Sequence, residues 1–454
     1  MEEQNDRKAA LKGQILDLVR EYYHVAHQRP AFEPGKSRVP YAGRVYDEHD
    51  MASLADSSLD FWLTAGPFAE KFERRMRQFF DSRDFILVNS GSSANLVMVS
   101  TLCAVDLHKN LREGGPGPLK PGDEVITPAV TFPTTLAPLL QNGLVPVFVD
   151  CEVGTYNINP HLIEDAIGPR TKAILAPHTV GNPCDMAILP EVAKRHNLWL
   201  LEDGCDALGA TFDGKLCGTF GAMSTLSFYP AHHITMGEGG GVAINGFGLQ
   251  KTARSVRDWG RDCWCDPGKS NTCGTRFEWQ EGELPCGYDH KYIYSNIGYN
   301  LKVTDMQAAI GLTQMDKIPQ FVEARRRNFK QLFEGLKQWE DQIILPRIDP
   351  RANPSPFGFP ITVRPGIERT KLVQHLEAAQ IETRLVFGGN ILRQPGFLNI
   401  EKRIHGEMTD SDIVMRDTLF IGVYPGLTPV MIDYMLETLQ QFFAPAAKQH
   451  FVLV

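Results

Sequence analysis

The sequence lacks the features that mark a membrane, secreted or nucleic-acid-binding protein. No apolar run approaches the ~20 residues that a membrane-spanning helix needs. The first residues, MEEQNDRK, are acidic and polar, which argues against a secretory signal. The formal net charge is −8 and there is no long basic run, so nucleic acid is not an expected partner. We therefore expect a cytoplasmic protein that acts without a membrane.

Repeats and low-complexity tracts are also absent, and the composition is that of an ordinary globular protein. Of the 454 residues, 43% are hydrophobic and 22% are charged, which suits one large domain and a smaller one. The nine cysteines, an odd number, do not indicate a disulfide framework. Five of them are expected to be buried and inert: Cys103, Cys151, Cys184, Cys217 and Cys286.

Short apolar runs alternate with helical stretches between about residues 68 and 250, which predicts an α/β domain built on a mostly parallel sheet. The predicted strands there are FILV (85–88), EVIT (124–127), VPVFVD (145–150), AILAP (173–177) and LWLLED (198–203). Helices are predicted at 8–26, 93–106, 160–168, 303–340, 370–379 and 429–443. Ligands of such sheets bind at the carboxyl ends of the strands.

The order of the predicted strands and helices divides the chain into three parts. Residues 1–66 hold the first helix and an irregular segment, and residues 67–320 form the large domain. An inserted loop rich in Cys, Trp, Asp, Gly and Pro interrupts that domain at about 258–296. Residues 321–454, with the strands FGFPITV (357–363) and ETRLVF (382–387), form a smaller α+β domain.

Three features at predicted strand ends suit a cofactor, and each has a plain structural alternative. The turn SGSSAN (90–95) offers backbone N–H groups and hydroxyls to a phosphate, or only caps a helix. Asp203 could pair with a protonated pyridine nitrogen, which makes the ring an electron sink, or cap a helix. Phe132 could stack on a flat cofactor or pack in the core. Together, in chain order, they describe a pyridoxal phosphate pocket.

Four further cysteines form the pattern C-x57-C-x-C-x7-C: Cys205, Cys263, Cys265 and Cys273. Four thiolates suit a structural zinc ion or a [2Fe–2S] cluster, and the spacing matches neither the common zinc pairs nor the plant-type ferredoxin run. Unliganded thiols are the alternative. Cys205 lies two residues after Asp203, at most ~7 Å along an extended chain. A metal there would lie close to the cofactor, which favours an electron carrier over structural zinc.

Several longer segments resemble the sugar aminotransferases of the DegT–StrS group, a family with the aspartate-aminotransferase (type I) fold. They span most of the first 320 residues in the family's order. The matching segments are TAGPFAEKFE (64–73), SGSSAN (90–95), PAVTFPTT (128–135), LEDGCDALGA (201–210), SFYPAHHITMGEGGG (227–241) and GYNLKVTDMQAAIGLTQM (298–315).

The resemblance implies roles for individual residues. Ser92, Ser93 and Ser227 would hold the cofactor phosphate. Asp203 would pair with the ring nitrogen, and Phe132 would stack on the ring.

The resemblance also implies a homodimer, because Asn300 would reach the phosphate bound by the other subunit.

The sequence departs from the family at one position near the cofactor ring. Asp206 stands where the family usually has His or Gln near the ring hydroxyl.

At the position of the family's Schiff-base lysine, this sequence has His232, and no lysine occurs between Lys215 and Lys251. Imidazole has no primary amine, so the cofactor would be held without a covalent bond, as pyridoxamine phosphate. An ordinary histidine pKa of ~6.5 suits a general base. The resemblance therefore implies that the cofactor condenses with a sugar C4 ketone, that His232 removes a proton, and that the C3 hydroxyl leaves as water. The family spacing favours His232 over the adjacent His233.

The cysteine spacing resembles that of the iron–sulfur 3-dehydrases of 3,6-dideoxyhexose biosynthesis, a histidine-for-lysine branch of the same family. This implies a [2Fe–2S] cluster, a substrate such as CDP-4-keto-6-deoxy-D-glucose, and a pathway such as lipopolysaccharide O-antigen synthesis. It also implies a separate flavin and iron–sulfur reductase that delivers two electrons one at a time. The sequence has no flavin or nicotinamide motif of its own, which fits an external reductase.

Three alternatives stay open from the sequence. One is a cluster-free dehydratase that reloads its cofactor from glutamate, against which the four cysteines argue. Another is a sugar 4-aminotransferase, against which the missing lysine argues. The last is a catalytically dead dimer that binds sugar nucleotides or holds a structural zinc ion.

The substrate wall is predicted to include Tyr41 and Arg44 from the irregular N-terminal segment. Arg384, Asn390 and Gln394, from ETRLVFGGNILRQP (382–395), are further candidates. Arginines suit a diphosphate, and solvated surface arginines are the alternative.

Overall fold

The computed structural model describes residues 1–28, 30–111, 113–265 and 268–444. Residues 266–267 of the predicted inserted loop and 445–454 of the predicted C-terminal domain lie outside the described residues. The helices are α1 (Glu2–Ala26), α2 (Glu48–Asp60), α3 (Pro67–Phe80), α4 (Gly91–Leu102), α5 (Pro133–Gln141), α6 (Leu189–Arg195), α7 (Gln250–Arg257), α8 (Asp305–Asp316), α9 (Ile318–Leu336), α10 (Arg369–Ala378), α11 (Thr409–Asp417) and α12 (Pro429–Phe443).

The strands are mostly short. They are β1 (Asp84–Val88), β2 (Glu124–Pro128), β3 (Val145–Val149), β4 (Thr171–Pro177), β5 (Trp199–Asp203), β6 (Thr211–Phe212), β7 (Lys215–Leu216), β8 (Met223–Ser227), β9 (Gly240–Ile244), β10 (Ile343–Ile344), β11 (Ala352–Asn353), β12 (Gly358–Val363), β13 (Thr383–Arg384), β14 (Arg403–Ile404) and β15 (Thr418–Gly422).

An eight-stranded sheet in the order β1-β9-β8-β5-β4-β2-β3-β14 forms the centre of the molecule. The pairs from β8 through β14 are parallel, and β9 runs antiparallel to both β1 and β8. Strands β2, β3 and β5 are buried at every residue, because helices cover both faces of the sheet, and this explains their continuous apolar sequences. The predicted mostly parallel sheet is confirmed.

A second sheet of four strands, in the order β10-β12-β15-β13, carries the C-terminal part of the chain. Its core is formed by apolar side chains of α9, α10 and α12 against β12 and β15. The large sheet has its own cores on either side. The carboxyl ends of β2, β4 and β5 face the second sheet across a cleft, whose contents are described below. The predicted domain boundaries stay a prediction.

Some predicted elements differ from the observed ones. Helix α2 lies in the segment predicted to be irregular, where the prolines upstream obscured a capping box between Asp47 and Asp50. The predicted helix at 160–168 is only a 3₁₀ turn at Pro160–Leu162, and Gly168 and Pro169 follow closely after it. Strands β8 and β9 were missed because the glycine-rich segment between them hid their pairing. ETRLVF contributes only two residues to β13.

The inserted loop has little regular structure. Its two ends are joined by the bridges Asp258↔Asn300 and Arg261↔Tyr294. Its described residues contain one 3₁₀ turn, His290–Tyr292. Among the described residues, no helix combines the length and the apolar character needed to cross a membrane.

The backbone packs closely around Gly181, beside the cleft. Its φ is +81°, and a Cβ there would lie 2.1 Å from the Ser355 carbonyl oxygen and 2.7 Å from that of Asp206. Gly237 has the same φ, with no heavy atom within 4 Å of its Cβ position. Both alanine variants lose about 1–2 kcal/mol to the left-handed backbone. Gly181→Ala should lose about 1–3 kcal/mol more, because of the clash.

Urea unfolding of the two variants measures this difference. Equal losses for Gly181→Ala and Gly237→Ala would contradict the close packing of residues 181, 206 and 355.

Candidate active site

Side chains and loops at the carboxyl ends of the parallel strands enclose a cavity of about 330 Å³. Loops after β2, β4, β5 and β8 form its floor, and the segment after β13 forms part of its mouth. This is the position at which ligands bind in sheets of this kind. Three of the predicted cofactor features, the turn before α4, Asp203 and Phe132, line this one cavity.

The start of α4 forms one end of the cavity. Ser90 caps the helix, since its Oγ accepts the Ser93 N–H at 3.0 Å and its hydroxyl donates to Ser93 Oγ at 3.0 Å. Ser92 and Ser227 line the cavity, and Ser93 is not among the lining residues. A Cβ on Gly91 would lie 2.6 Å from Ser227 Cβ, so glycine lets the hydroxyls of Ser92 and Ser227 converge. Backbone N–H groups and hydroxyls at a helix start suit a phosphate.

Asp203 lies at the floor of the cavity and is 6% exposed. Its Oδ2 accepts from Asn95 Nδ2 at 2.9 Å and from the Thr135 hydroxyl at 2.6 Å. Its Oδ1 accepts from the Thr225 hydroxyl and the Cys205 N–H, both at 3.2 Å. These donors stabilise the charged carboxylate. It is placed to pair with a cationic ring nitrogen.

Phe132 lies directly before α5 and remains 48% exposed, with its ring in the cavity wall. Within the described part of the chain, its one aromatic ring contact is an edge-on one with Phe387, and the two centroids are 6.0 Å apart. The open face is available to a flat ring, as the stacking role requires.

His232 forms the wall opposite this floor. Its ring centroid lies 5.1 Å from that of Phe357, and its Nδ1 has no hydrogen-bond partner among the described residues. Asp206 Oδ1 is 3.5 Å from that Nδ1, outside hydrogen-bond geometry. Burial and the nearby Arg325 guanidinium lower the pKa of His232 to about 4. The imidazole is therefore neutral at pH 7 and free to accept a proton.

Asp206 is the acidic neighbour of His232. Its Oδ2 accepts the Val180 N–H at 3.2 Å. Burial and the charge of Asp203 raise the pKa of Asp206 to about 7. Histidine and carboxyl thus both tend toward their neutral forms, because the cavity is poorly solvated.

His233 lies outside the cavity. Its Nε2 donates to the Ser355 carbonyl at 2.9 Å, and the side chain is buried. Of the two adjacent histidines, only His232 lines the cavity.

The predicted substrate residues separate into two groups. Tyr41 and Arg384 line the cavity, and the guanidinium lies 4.0 Å from the centre of the Tyr41 ring. Arg44 lines a smaller neighbouring cavity behind His232.

Asn390 and Gln394 do not line the cavity. Asn390 is buried, donates to Asp412 Oδ1 at 2.7 Å and caps the next turn through Leu392 N–H. Gln394 donates to the Gly388 carbonyl at 2.8 Å. Both amides hold the loop in place within the chain, a role that the spacing of the motif does not reveal.

Asn300 lies at the base of the inserted loop and is exposed. Its Oδ1 accepts from Lys302 Nζ at 2.9 Å. It does not line the cavity of its own chain. The predicted contact with another subunit's phosphate stays a prediction.

Sequence reasoning did not assign three residues that hold Asp203: Asn95, Thr135 and Thr225. Asn95 and Thr135 end the quoted segments SGSSAN and PAVTFPTT, and each occupies the cavity-facing side of a helix start. His178, which also lines the cavity, was missed too. Its Nε2 lies 3.1 Å from Glu202 Oε2, and this buried pair becomes visible only once β4 and β5 are adjacent.

The four cysteines of the C-x57-C-x-C-x7-C pattern do not lie together within one chain. Cys205 lines the cofactor-type cavity, whereas Cys263 and Cys265 line a different one of about 800 Å³ beside α3 and α7. Among the described residues, no group of three or more His, Cys, Asp and Glu side chains has the arrangement of a metal site. A [2Fe–2S] cluster with all four thiolates therefore does not fit the isolated chain as it is folded.

Two of the three loop cysteines, Cys265 and Cys273, lie in surroundings that lower the pKa of the thiol, whereas burial raises the pKa of Cys263. Backbone N–H groups of Cys265 and Thr272 point to the sulfurs of Cys263 and Cys265, at 3.5 and 3.3 Å. Hydrogen bonds from the Thr275 backbone and the His290 side chain lower the pKa of Cys273 to about 7.

The five cysteines outside the pattern were expected to be buried. Cys151, Cys184 and Cys217 are buried, and Cys103 is partly buried. The expectation is wrong for Cys286, which is exposed.

The chemistry of the cavity fits a pyridoxal-type cofactor. Hydroxyls at the start of α4 lie at one end, the Asp203 carboxylate at the floor and the open face of Phe132 at the wall. Ser92, Ser227, Asp203 and Phe132 would hold such a group. None of the described residues that line the cavity is a lysine.

Three comparisons place this geometry among known proteins. The model of the DegT/DnrJ/EryC1/StrS aminotransferase family matches residues 45–440. The chain is similar to the lipopolysaccharide biosynthesis protein RfbH of Salmonella typhimurium strain LT2, with 48% identity over 435 residues that cover 95% of this chain and 98% of that protein. It is similar to the dTDP-4-dehydro-2,6-dideoxy-D-glucose 3-dehydratase of Saccharopolyspora spinosa, with 49% identity over 438 residues that cover 96% and 93% of the two chains.

Among solved structures, the chain is similar to GDP-4-keto-6-deoxymannose-3-dehydratase with a trapped PLP-glutamate geminal diamine. The TM-score is 0.77 at 28% identity, and the match covers 88% of this chain and 100% of that one. The predicted family resemblance and the aminotransferase fold class are confirmed.

The opposite pKa shifts of His232 and Asp206 predict opposite effects of pH on the cofactor-free protein. The folded pKa of Asp206, about 7, lies above its unfolded value of ~3.9, so its contribution to stability falls as pH rises between them. The folded pKa of His232, about 4, lies below its unfolded value of ~6.5, so its contribution rises over that window. Between about pH 4 and 6.5 the two nearly cancel.

Replacing either residue should reveal the pH dependence that the other one contributes to the free energy of unfolding. From pH 4.5 to 6.5, the free energy of unfolding of Asp206→Asn should change with pH more positively than that of the native protein, by up to ~1.4 kcal/mol per pH unit. For His232→Asn it should change more negatively by a similar amount. Denaturant unfolding at several pH values measures both slopes, and parallel slopes in all three proteins would refute the assigned shifts.

Proposed function

The chain belongs to the DegT/DnrJ/EryC1/StrS aminotransferase family, and from this membership we propose that it removes the C3 hydroxyl of a nucleotide-linked 4-keto-6-deoxyhexose. The observation that carries the proposal is the neutral imidazole of His232 in a cavity whose described lining residues include no lysine. A transaminase needs a primary amine at this wall to bind its cofactor covalently. A dehydrase needs only a base there.

The names of the relatives support this reaction class. One is a dTDP-4-dehydro-2,6-dideoxy-D-glucose 3-dehydratase, and two more distant ones are GDP-4-keto-6-deoxy-D-mannose 3-dehydratases, at 30% and 33% identity. RfbH is a lipopolysaccharide biosynthesis protein, so we place the reaction in deoxysugar synthesis for a surface polysaccharide such as O-antigen. We propose CDP-4-keto-6-deoxy-D-glucose as the substrate.

Pyridoxamine phosphate, when bound, supplies an amine for the sugar ketone and a ring that withdraws electrons from the neighbouring C–H bond. Asp203 keeps a proton on the ring nitrogen, because its charge is stabilised by four donors. Ser92 and Ser227 bind the phosphate, and Phe132 orients the ring.

His232 accepts the carbon-bound proton. Its pKa, lowered to about 4, keeps it unprotonated at neutral pH, and its Nδ1 has no competing partner among the described residues. Arg325 Nη2 donates to the His232 carbonyl at 3.0 Å and fixes the backbone of this wall. Arg384, above the Tyr41 ring at the mouth, binds the diphosphate of the nucleotide.

Completion of the deoxygenation needs two electrons. We propose that a separate flavin and iron–sulfur reductase supplies them, and that Cys205, Cys263, Cys265 and Cys273 would be the ligands of a [2Fe–2S] cluster, a group that supplies one-electron transfer when bound. The lowered pKa values of Cys265 and Cys273 support thiolates at these two positions, whereas burial raises the pKa of Cys263. Among its described residues, the isolated chain does not bring these four thiols together.

His232→Asn tests the role of the base. The variant should retain pyridoxamine phosphate, whose predicted contacts are elsewhere, and lose ~10²- to 10⁴-fold in the rate of C3 dehydration. The rate is measured by mass spectrometry of the sugar nucleotide in a single turnover, and bound cofactor by its absorbance after gel filtration.

His233→Asn is the matched control, assayed at a temperature at which circular dichroism shows it folded. It should keep most of the native rate, because His233 lies outside the cavity. A His232→Asn protein with native activity would end the proposal that His232 is the base.

A further inference from the structure

We infer that Phe387 is a positioning residue for the cofactor: its ring holds the Phe132 ring in place for stacking. Because the stacking partner is the pyridoxamine phosphate of the proposed function, this inference rests on that function. Within the described residues, Phe387 supplies the one aromatic ring contact of Phe132. The two ring planes are inclined by 76°, with centroids 6.0 Å apart, which is a favourable edge-to-face arrangement.

The main chain of Phe132 is fixed, whereas its side chain is half exposed. The Thr135 N–H donates to the Phe132 carbonyl at 3.0 Å, and the Thr135 hydroxyl donates to Asp203 Oδ2 at 2.6 Å. The backbone that carries the ring is therefore tied to the carboxylate of the cavity floor. The side chain is 48% exposed, so burial alone does not fix its rotamer. The edge-on contact with Phe387 restricts the ring and uses at most one of its two faces, which leaves the other face for the cofactor.

Phe387 has a backbone conformation that bulky residues rarely adopt. Its φ is +50°. The Gly389 N–H donates to the Val386 carbonyl at 2.9 Å, so Phe387 and Gly388 are the central residues of a tight turn. Glycine, asparagine or aspartate is usual at a turn position with positive φ, and two glycines follow Phe387 directly in the sequence. A phenyl group at this strained position, in the lining of the cavity, indicates a function for the ring.

The turn is docked on the segment that carries Phe132. The Ile391 N–H donates to the Ala129 carbonyl at 2.9 Å, and Asn390 forms an antiparallel bridge with Val130. These main-chain contacts set the separation of the two rings. Because the contacts are made within the protein chain, the Phe132 ring is held before the cofactor binds, and less freedom is lost on binding.

The ring pair also joins the two sheets at the cavity. Phe132 follows β2 of the eight-stranded sheet, and Phe387 follows β13 of the four-stranded sheet. The orientation of the cofactor ring therefore depends on the C-terminal part of the chain as well as on the large domain.

Titration with pyridoxamine phosphate, followed by absorbance, tests the role of Phe387. Phe387→Leu removes the ring but keeps a side chain at the same positive φ, so the backbone strain is retained. It should raise the dissociation constant of pyridoxamine phosphate ~3- to 10-fold, the size expected for the loss of one aromatic pair. Phe387→Tyr keeps the ring and should bind as the native protein does.

Phe397→Leu is the matched control. It makes the same replacement at a phenylalanine that follows the turn and is not among the described residues lining the cavity. Its dissociation constant should be native. Far-ultraviolet circular dichroism shows that each variant is folded.

Phe132→Leu shows whether Phe387 acts through Phe132. In a Phe132→Leu protein, the further change Phe387→Leu should alter the dissociation constant less than ~2-fold, because the partner ring is already gone. Circular dichroism of the bound cofactor, at saturating pyridoxamine phosphate, reports the orientation of its ring. This signal should change in Phe387→Leu and stay native in Phe397→Leu.

Native affinity together with a native cofactor signal in Phe387→Leu would overturn the inference. Equal losses of affinity with and without the Phe132 ring would also overturn it, because Phe387 would then act independently of Phe132. A native protein that does not bind pyridoxamine phosphate would refute the cofactor assignment and the inference together. Failure of the proposed dehydration is a separate result, since it is measured on the sugar product and not on cofactor binding.

Discussion

The hydrogen bonds to the Asp203 carboxylate are the interaction on which the rest of the site depends. They join the end of β5 to α4 through Asn95, to α5 through Thr135 and to β8 through Thr225. Because one buried anion receives all of these donors, the elements that carry the phosphate turn and His232 are fixed relative to each other. The large sheet brings these strand ends together, and the carboxylate sets the polarity of the cavity floor.

The electrostatics of the opposite wall follow from the same burial. Burial and the charge of Asp203 raise the pKa of Asp206, and burial and the charge of Arg325 lower the pKa of His232. The wall therefore holds a neutral imidazole where an amine would be expected in a transaminase. Loss of the amine and retention of the base suit a reaction that breaks a C–O bond in preference to one that forms a C–N bond.

Strands with continuous apolar sequences, such as β2, β3 and β5, could be predicted because burial on both faces leaves a local signature. The cavity placement of Ser92, Phe132, Asp203 and His232 also followed, since each belongs to a segment that matched a family pattern. Asn390 and Gln394 could not be separated from true lining residues, because their partners, Asp412 and the Gly388 carbonyl, are set by loop geometry. The separation of Cys205 from the loop cysteines likewise depends on tertiary structure and leaves no trace in spacing.

The central claim, that this family member removes oxygen and does not install nitrogen, is tested most directly by product analysis. The protein would be incubated anaerobically with pyridoxamine phosphate, glutamate, CDP-4-keto-6-deoxy-D-glucose and dithionite with methyl viologen as a chemical electron donor. Nuclear magnetic resonance of the product should show a methylene group at C3 and a ketone at C4. A 4-amino sugar that retains its C3 hydroxyl would contradict the account.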